Sequence, residues 1–201
     1  MLAPLAERLR PKTLDEYIGQ THLVGEGSIL RRMIDSGNVS SFILWGPPGV
    51  GKTTIARIIA NSTKSSFYTL SAVNAGVKDV RDVIERCKAD ASSMFSSGRP
   101  ILFIDEIHRL SRSVEEILYP AMEDYSLDII LGKGPGAHSV RLDLPRFTLI
   151  GATTRTGLLT APLRDRFGVI SRLELYTPEE LSEIIVRSAS ILGTEIDRSG
   201  A

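Results

Sequence analysis

Gly46-Pro47-Pro48-Gly49-Val50-Gly51-Lys52-Thr53 decides how the rest of this chain is read. The eight residues fit G-x-x-x-x-G-K-[ST], the phosphate-cradling loop. Ser41-Phe42-Ile43-Leu44-Trp45 before them reads as a short buried strand, and Thr54 to Asn61 after them reads as a helix. Glycines let the backbone wrap closely around phosphate oxygens, so that several N–H groups point inward. The helix that follows adds its positive N-terminal end. On this pattern Gly46, Pro47, Gly49, Val50, Gly51, Lys52, Thr53 and Thr54 surround the phosphates of a nucleotide. Lys52 reaches the β- and γ-phosphates, and the Thr53 hydroxyl binds Mg²⁺. A chance glycine-rich turn would satisfy the spacing alone, but not the flanking strand and helix.

Outward from the loop, strands and helices alternate, which predicts a parallel sheet flanked by helices. Phe67 to Leu70 is a second strand. Val77 to Phe95 is helical, with Val77, Val80, Val83, Ile84, Cys87, Ala91, Met94 and Phe95 at spacings of three and four. Pro100 to Ile104 is a continuous apolar strand, and Ser113 to Glu123 suits a helix. Leu127 to Leu144 alternates about Gly132-Lys133-Gly134-Pro135-Gly136, which predicts an antiparallel hairpin. Phe147 to Ala152 and Val169 to Leu175 are further strands. Thr177-Pro178-Glu179-Glu180 carries a capping residue, a first-turn proline and a glutamate at N3, so a helix starts there and runs to about Leu192.

Bulk properties narrow the class. The 201 residues are 42% hydrophobic and 24% charged, an ordinary globular composition. Twenty-four basic residues balance 24 acidic ones, so no global positive field attracts nucleic acid, and any DNA contact has to be local. Cys87 is the only cysteine, which rules out an internal disulfide; its place in a helical pattern reads as packing. No apolar run approaches the roughly 20 residues of a membrane span. Met1-Leu2-Ala3-Pro4 meets Glu7 and Arg8 at once, unlike a signal peptide, and a cytoplasmic setting is expected.

The second chemical centre is Asp105-Glu106, at the end of the strand Ile101–Ile104. Sites in open α/β sheets lie at the C-terminal strand ends, so both carboxylates are expected to face the phosphate loop. Asp105 suits Mg²⁺ held through its water shell. Glu106 suits polarising a water for in-line attack on phosphorus. Thr153 and Thr154 end the strand 147–152; they read either as a γ-phosphate or water contact or as a solvated strand end. Arg164 and Arg166 read either as partners of transition-state charge or as surface ion pairs. His22, His108 and His138 lack metal-ligand spacing, and His108 stands two residues beyond Glu106. Arg109, Arg112, Lys133 and Arg141 fit phosphate-backbone contacts, although a solvated face is the simpler reading.

Taken together these blocks resemble the AAA+ ATPases. Gly46–Thr53 is similar to Walker A, Ile101–Glu106 to Walker B, and Gly151-Ala152-Thr153-Thr154 to sensor 1. Arg166 stands where the clamp-loader clade has its trans-acting arginine finger. The stretches Ser111 to Asp124, Leu142 to Phe147 and Gly157 to Pro162 resemble the RuvB family of Holliday-junction motors. So does Arg10-Pro11-Lys12-Thr13-Leu14-Asp15-Glu16-Tyr17-Ile18-Gly19-Gln20, the box that touches adenine there. Residues between about 21 and 98 instead resemble the RarA/MgsA replication-fork ATPases, as in His22-Leu23-Val24-Gly25 and Leu70 to Arg81. Both families share Phe103 to Arg109.

The resemblance implies an α/β P-loop NTPase core of the AAA+ type, with an inserted β-hairpin and the start of a helical lid. Residues 1–176 would form the nucleotide-binding domain and 177–201 the first helix of the lid. Both families continue through a lid carrying a sensor-2 arginine, so the chain is expected to be truncated, and its two-sided resemblance suggests a hybrid. ATP and Mg²⁺ are the implied ligands. Glu106, Thr154 and Arg166 are the implied catalytic residues, Thr53 and Asp105 the metal residues, and Arg10, Tyr17 and Ile18 the adenine-side contacts. Branched DNA is the implied substrate, with a homo-oligomeric ring and a RuvA-like partner docked on hairpin 127–144. A non-hydrolysing nucleotide-dependent docking module and a clamp-loader-like protein remodeller remain the alternatives.

Overall fold

The computed structural model describes residues 4–91, 98–131, 138–197 and 200–201. Among them the strands are, in chain order, Phe42–Trp45 (β1), Phe67–Ser71 (β2), Ile101–Asp105 (β3), Ser126–Leu131 (β4), His138–Asp143 (β5), Thr148–Thr153 (β6) and Val169–Arg172 (β7). The helices are Leu5–Arg8 (α1), Thr21–Val24 (α2), Ile29–Asp35 (α3), Lys52–Ser62 (α4), Val77–Ala91 (α5), Arg112–Glu123 (α6), Ala161–Arg164 (α7) and Pro178–Leu192 (α8). Five strands form one parallel sheet in the order β2-β3-β6-β1-β7. β4 and β5 pair antiparallel as a separate hairpin.

Strand alternation sorts the apolar side chains onto two faces. Phe42 and Leu44 of β1, Ile101 and Phe103 of β3 and Ile150 of β6 pack with Ile55, Ile58 and Ile59 of α4. Their neighbours Ile43, Leu102, Ile104 and Leu149 pack on the other face with Val80 and Ile84 of α5 and Val114 and Leu118 of α6. Most of these side chains are fully buried, each worth about 1.5–3 kcal/mol. Cys87 belongs to the second layer; burial pushes its thiol up to about 12, consistent with packing rather than reactivity.

The expected element types are all present, and the differences lie at ends. The helix from Val77 is described as far as Ala91, so Met94 and Phe95 lie outside the described residues, as do the hairpin turn 132–136 and Lys133. β7 stops at Arg172 rather than running to Leu175, for a specific reason. The Leu173 N–H still donates to Trp45 O at 2.7 Å. At Glu174 a side chain takes over the ladder: Gln20 Nε2 donates to Glu174 O at 2.6 Å, and Gln20 Oε1 accepts from Glu174 N–H at 2.9 Å. α8 starts as the sequence requires. Thr177 accepts from Glu180 N–H, Glu180 accepts from Thr177 N–H, and the helix closes on Gly193 at φ +68°.

The Gln20 amide therefore ties the N-terminal segment to the strand leaving the sheet. Gln20→Ala removes both hydrogen bonds, and urea unfolding is expected to register a loss of about 1–3 kcal/mol with an unchanged m-value.

Candidate functional site

After β1 the chain turns through residues 46–51 directly into α4. Two positions in that turn have no room for a side chain. A Cβ at Gly46 would lie 2.5 Å from Leu173 O, and one at Gly51 would lie 2.5 Å from Tyr17 Oη and 2.9 Å from Tyr176 Oη. Gly51 also sits at φ +92°, where glycine is favoured. Val50 is buried and its carbonyl accepts from both tyrosine hydroxyls at 3.4 Å. Lys52, itself buried, donates from Nζ to Gly46 O at 2.8 Å and Pro47 O at 2.7 Å. Burial pushes its pKa down, and the carboxylates of Glu106 and Asp105 pull it partly back.

Those carboxylates arrive from β3, which is separated from β1 by β6 alone. Asp105 Oδ1 accepts from Glu106 N–H at 3.0 Å. Glu106 holds a left-handed backbone at φ +51°, unusual for a glutamate. Its Oε2 accepts from Thr154 Oγ1 at 3.3 Å and lies 3.3 Å from His108 Nδ1.

One cavity of about 700 Å³ joins these walls. Pro48, Gly49, Gly51, Lys52, Thr53 and Thr54 supply one side, with Asp105 and Glu106 facing them. Arg10, Tyr17 and Ile18 also line it, together with Leu9 and Pro11. α8 and the residue before it close the space with Tyr176, Ile184, Arg187 and Ser188. Arg10 is fixed by Thr54 Oγ1 at 3.1 Å and by Glu7 at 3.1 Å. The lining suits a magnesium nucleotide: the Thr53 hydroxyl, the Asp105 carboxylate and the Lys52 ammonium share one space of about 700 Å³. Mg²⁺ usually keeps waters and takes phosphate oxygens rather than a full protein cage. Among the described residues no cluster of three or more His, Cys, Asp or Glu offers a resident metal site.

Residues 9–173 match the Holliday junction DNA helicase RuvB P-loop domain. The chain belongs to this family. Its structure is similar to that of the Thermotoga maritima RuvB Holliday junction branch migration motor, at 40% identity and a TM-score of 0.75, covering 95% of this chain and 57% of that one. Two single-substitution variants of T. maritima RuvB agree. One is 40% identical with a TM-score of 0.76, covering 96% of this chain and 57% of its own. The other is 42% identical with a TM-score of 0.75, covering 95% and 57%. The chain thus spans somewhat more than half the length of these RuvB proteins. The P-loop AAA+ fold expected from the sequence is the fold found. The matched span includes residues 21–98, for which the sequence alone suggests RarA/MgsA instead.

Within this RuvB-family domain the remaining sequence candidates lie around the cavity rather than on it. Gly46, Pro47 and Val50 belong to the loop without lining the cavity, and the Gly46 and Pro47 carbonyls engage Lys52. Thr154 opens onto a second cavity with Glu106, His108, Arg109, Arg155 and Leu158. Arg166 lines neither of these two cavities. It donates to Pro162 O at 2.6 Å, pairs with Glu123 at 2.9 Å and stacks 4.2 Å over Tyr119. Arg112 pairs with Glu116 on its own exposed helix face, and Arg141 pairs with Asp124. His22 meets Arg172 O at 2.9 Å.

Sequence reasoning missed Tyr176, Ile184, Arg187 and Ser188. Ile184, Arg187 and Ser188 stand at spacings of three and four, so they share a helix face; that this face turns inward is decided by docking. Arg187 is the anchor. It donates to Leu9 O at 2.7 Å and to Glu16 at 2.9 Å, joining α8 to the N-terminal segment across the cavity mouth. Arg187→Ala is expected to weaken binding of a fluorescent ATP analogue about tenfold, roughly 1.4 kcal/mol, because two charge-assisted contacts that shape the cavity are lost.

Proposed function

We propose that this chain is the ATP-binding and ATP-hydrolysing module of a DNA motor of the RuvB kind. It would act on branched DNA, in Holliday-junction branch migration or replication-fork repair, in a cytoplasmic setting. The observation that carries this reading is that two adjacent pairs some fifty residues apart in sequence, Lys52-Thr53 and Asp105-Glu106, line one cavity. Among the described residues no helix is long and apolar enough to cross a membrane.

In this reading the loop amides and the α4 N-terminus receive the β- and γ-phosphates, and Lys52 exchanges its carbonyl partners for phosphate oxygens. Thr53 and Asp105 would hold Mg²⁺, which neutralises phosphate charge. Glu106 takes a proton from the attacking water, and Thr154 holds that carboxylate in place. Tyr17, Ile18 and Arg10 bound the base end. Arg166 is reserved for the neighbouring subunit of a ring, in keeping with its absence from the lining of its own chain's cavity. Residues 177–201 act as the first helix of a lid. The hairpin β4–β5 docks a RuvA-like partner, which would recruit a chain of balanced charge to DNA by protein contact.

Turnover measured with two variants tests the site. Lys52→Ala is expected to abolish binding of Mg-ATP, and Glu106→Gln to keep binding while hydrolysis falls by at least ~100-fold. Binding by the wild type without any turnover would instead identify a nucleotide-dependent docking module. Unchanged affinity in Lys52→Ala would remove the nucleotide assignment altogether.

A second experiment addresses the ring. Arg166→Ala should bind ATP normally and turn it over poorly. Mixing it with Lys52→Ala should restore part of the activity, because the intact cradle of one variant then meets the intact arginine of the other. No recovery on mixing would place the role of Arg166 within its own subunit.

A further inference from the structure

His108 is not needed to explain the cavity, yet it is built into the same edge of the sheet. Its side chain is only 8% exposed. Nδ1 lies 2.8 Å from Thr153 Oγ1 and 3.3 Å from Glu106 Oε2. Thr153 is fully buried in β6, and its Oγ1 already accepts the Arg155 N–H at 3.0 Å. Glu106 is the residue whose backbone is held left-handed, at φ +51°, a conformation retained where the surroundings over-determine it. Two side chains reach its Oε2: Thr154 and His108.

The proton inventory decides what His108 can do. A carboxylate only accepts, so a favourable contact from Nδ1 to Glu106 requires the proton on Nδ1. In that tautomer the N–H has two acceptors within reach, Thr153 Oγ1 at 2.8 Å and Glu106 Oε2 at 3.3 Å, and the nearer threonine fixes the ring. In the other tautomer Thr153 donates to a bare Nδ1, whose lone pair then faces the negative carboxylate and repels it. Glu106 also lines both cavities, the one with Lys52 and the one with His108 and Arg155. The direction of its carboxylate therefore depends on what holds it from the second side.

Resting on the reading of Glu106 as the residue that activates water, we propose that His108 is a positioning residue. Its Nδ1–H, aligned by Thr153, aims the Glu106 carboxylate together with Thr154. The role is one of geometry, so it acts on the chemical step and leaves nucleotide affinity alone.

The test uses single-turnover ATP hydrolysis alongside equilibrium binding of a slowly hydrolysed ATP analogue. His108→Ala is expected to slow hydrolysis about ten- to hundredfold, as small misplacements of reacting groups do, with affinity within about twofold of wild type. His108→Asn, whose amide N–H occupies the Nδ1 place, is expected to recover most of the rate. His108→Gln, which places its amide at the Nε2 end, is expected to stay slow. Full activity in His108→Ala overturns the proposal, and so does a parallel fall in rate and affinity, or equal loss in the Ala and Asn variants. If wild type hydrolyses ATP but Glu106→Gln does so equally well, the underlying reading of Glu106 has failed instead. If wild type shows no single-turnover hydrolysis, both fall.

Discussion

Everything about the site follows from strands running the same way. In a parallel sheet every strand ends at one edge, so whatever follows β1, β6 and β3 is gathered there. The register places Trp45 of β1 beside Thr153 of β6, and Ile104 of β3 beside Gly151 of β6. At this edge the chain supplies a phosphate-type loop from Gly46, the threonine pair 153–154 and the carboxylates of Asp105 and Glu106. None of these segments is near another in sequence. Only the sheet order β3-β6-β1 makes them one site, and that order is set by two apolar faces that each find helices to bury them.

The edge concentrates charge, and the arrangement is balanced around Lys52. Its ammonium is buried against two main-chain carbonyls, with Asp105 and Glu106 across the cavity. Burial disfavours the cation and the two acids favour it. Carbonyl partners are weak compared with phosphate oxygens, so they are contacts the lysine can exchange. The glycines serve the same end by sterics. At Gly46 and Gly51 a methyl group would collide with Leu173 O or with the two tyrosine hydroxyls. The close approach keeps the loop pressed onto Tyr17 and Tyr176, and so ties the cradle to both the N-terminal segment and the lead-in to α8.

The parts of this design that the sequence made legible are those with a local cause. Loop chemistry, strand alternation and the Thr177–Glu180 capping box each act within a few residues. The early end of β7 was not legible, because it depends on Gln20, about 150 residues away, taking over the Glu174 backbone. Arg187 was hidden for a related reason. The helical face it shares with Ile184 and Ser188 can be read from spacing, but an amphipathic helix does not state which neighbour it will meet. Arg166 was ambiguous between an ion pair and a functional group. Structurally it is an ion pair with Glu123, stacked on Tyr119.

The pinning of Arg166 bears on how such a module would work. An arginine free in solvent loses considerable rotamer entropy each time it is used. Here one backbone carbonyl, one carboxylate and one aromatic face have already ordered the side chain, so presenting it to another subunit would demand less further ordering. Glu123 closes α6, and the next residue, Asp124, is held by Arg141 of the hairpin strand β5. The hairpin and the arginine are therefore anchored to consecutive residues at one helix end. In the proposed reading, a partner on the hairpin and the Arg166 side chain would be linked through this one helix end. Balanced net charge fits such an arrangement, since a module addressed through protein contact has no need of a strongly basic surface.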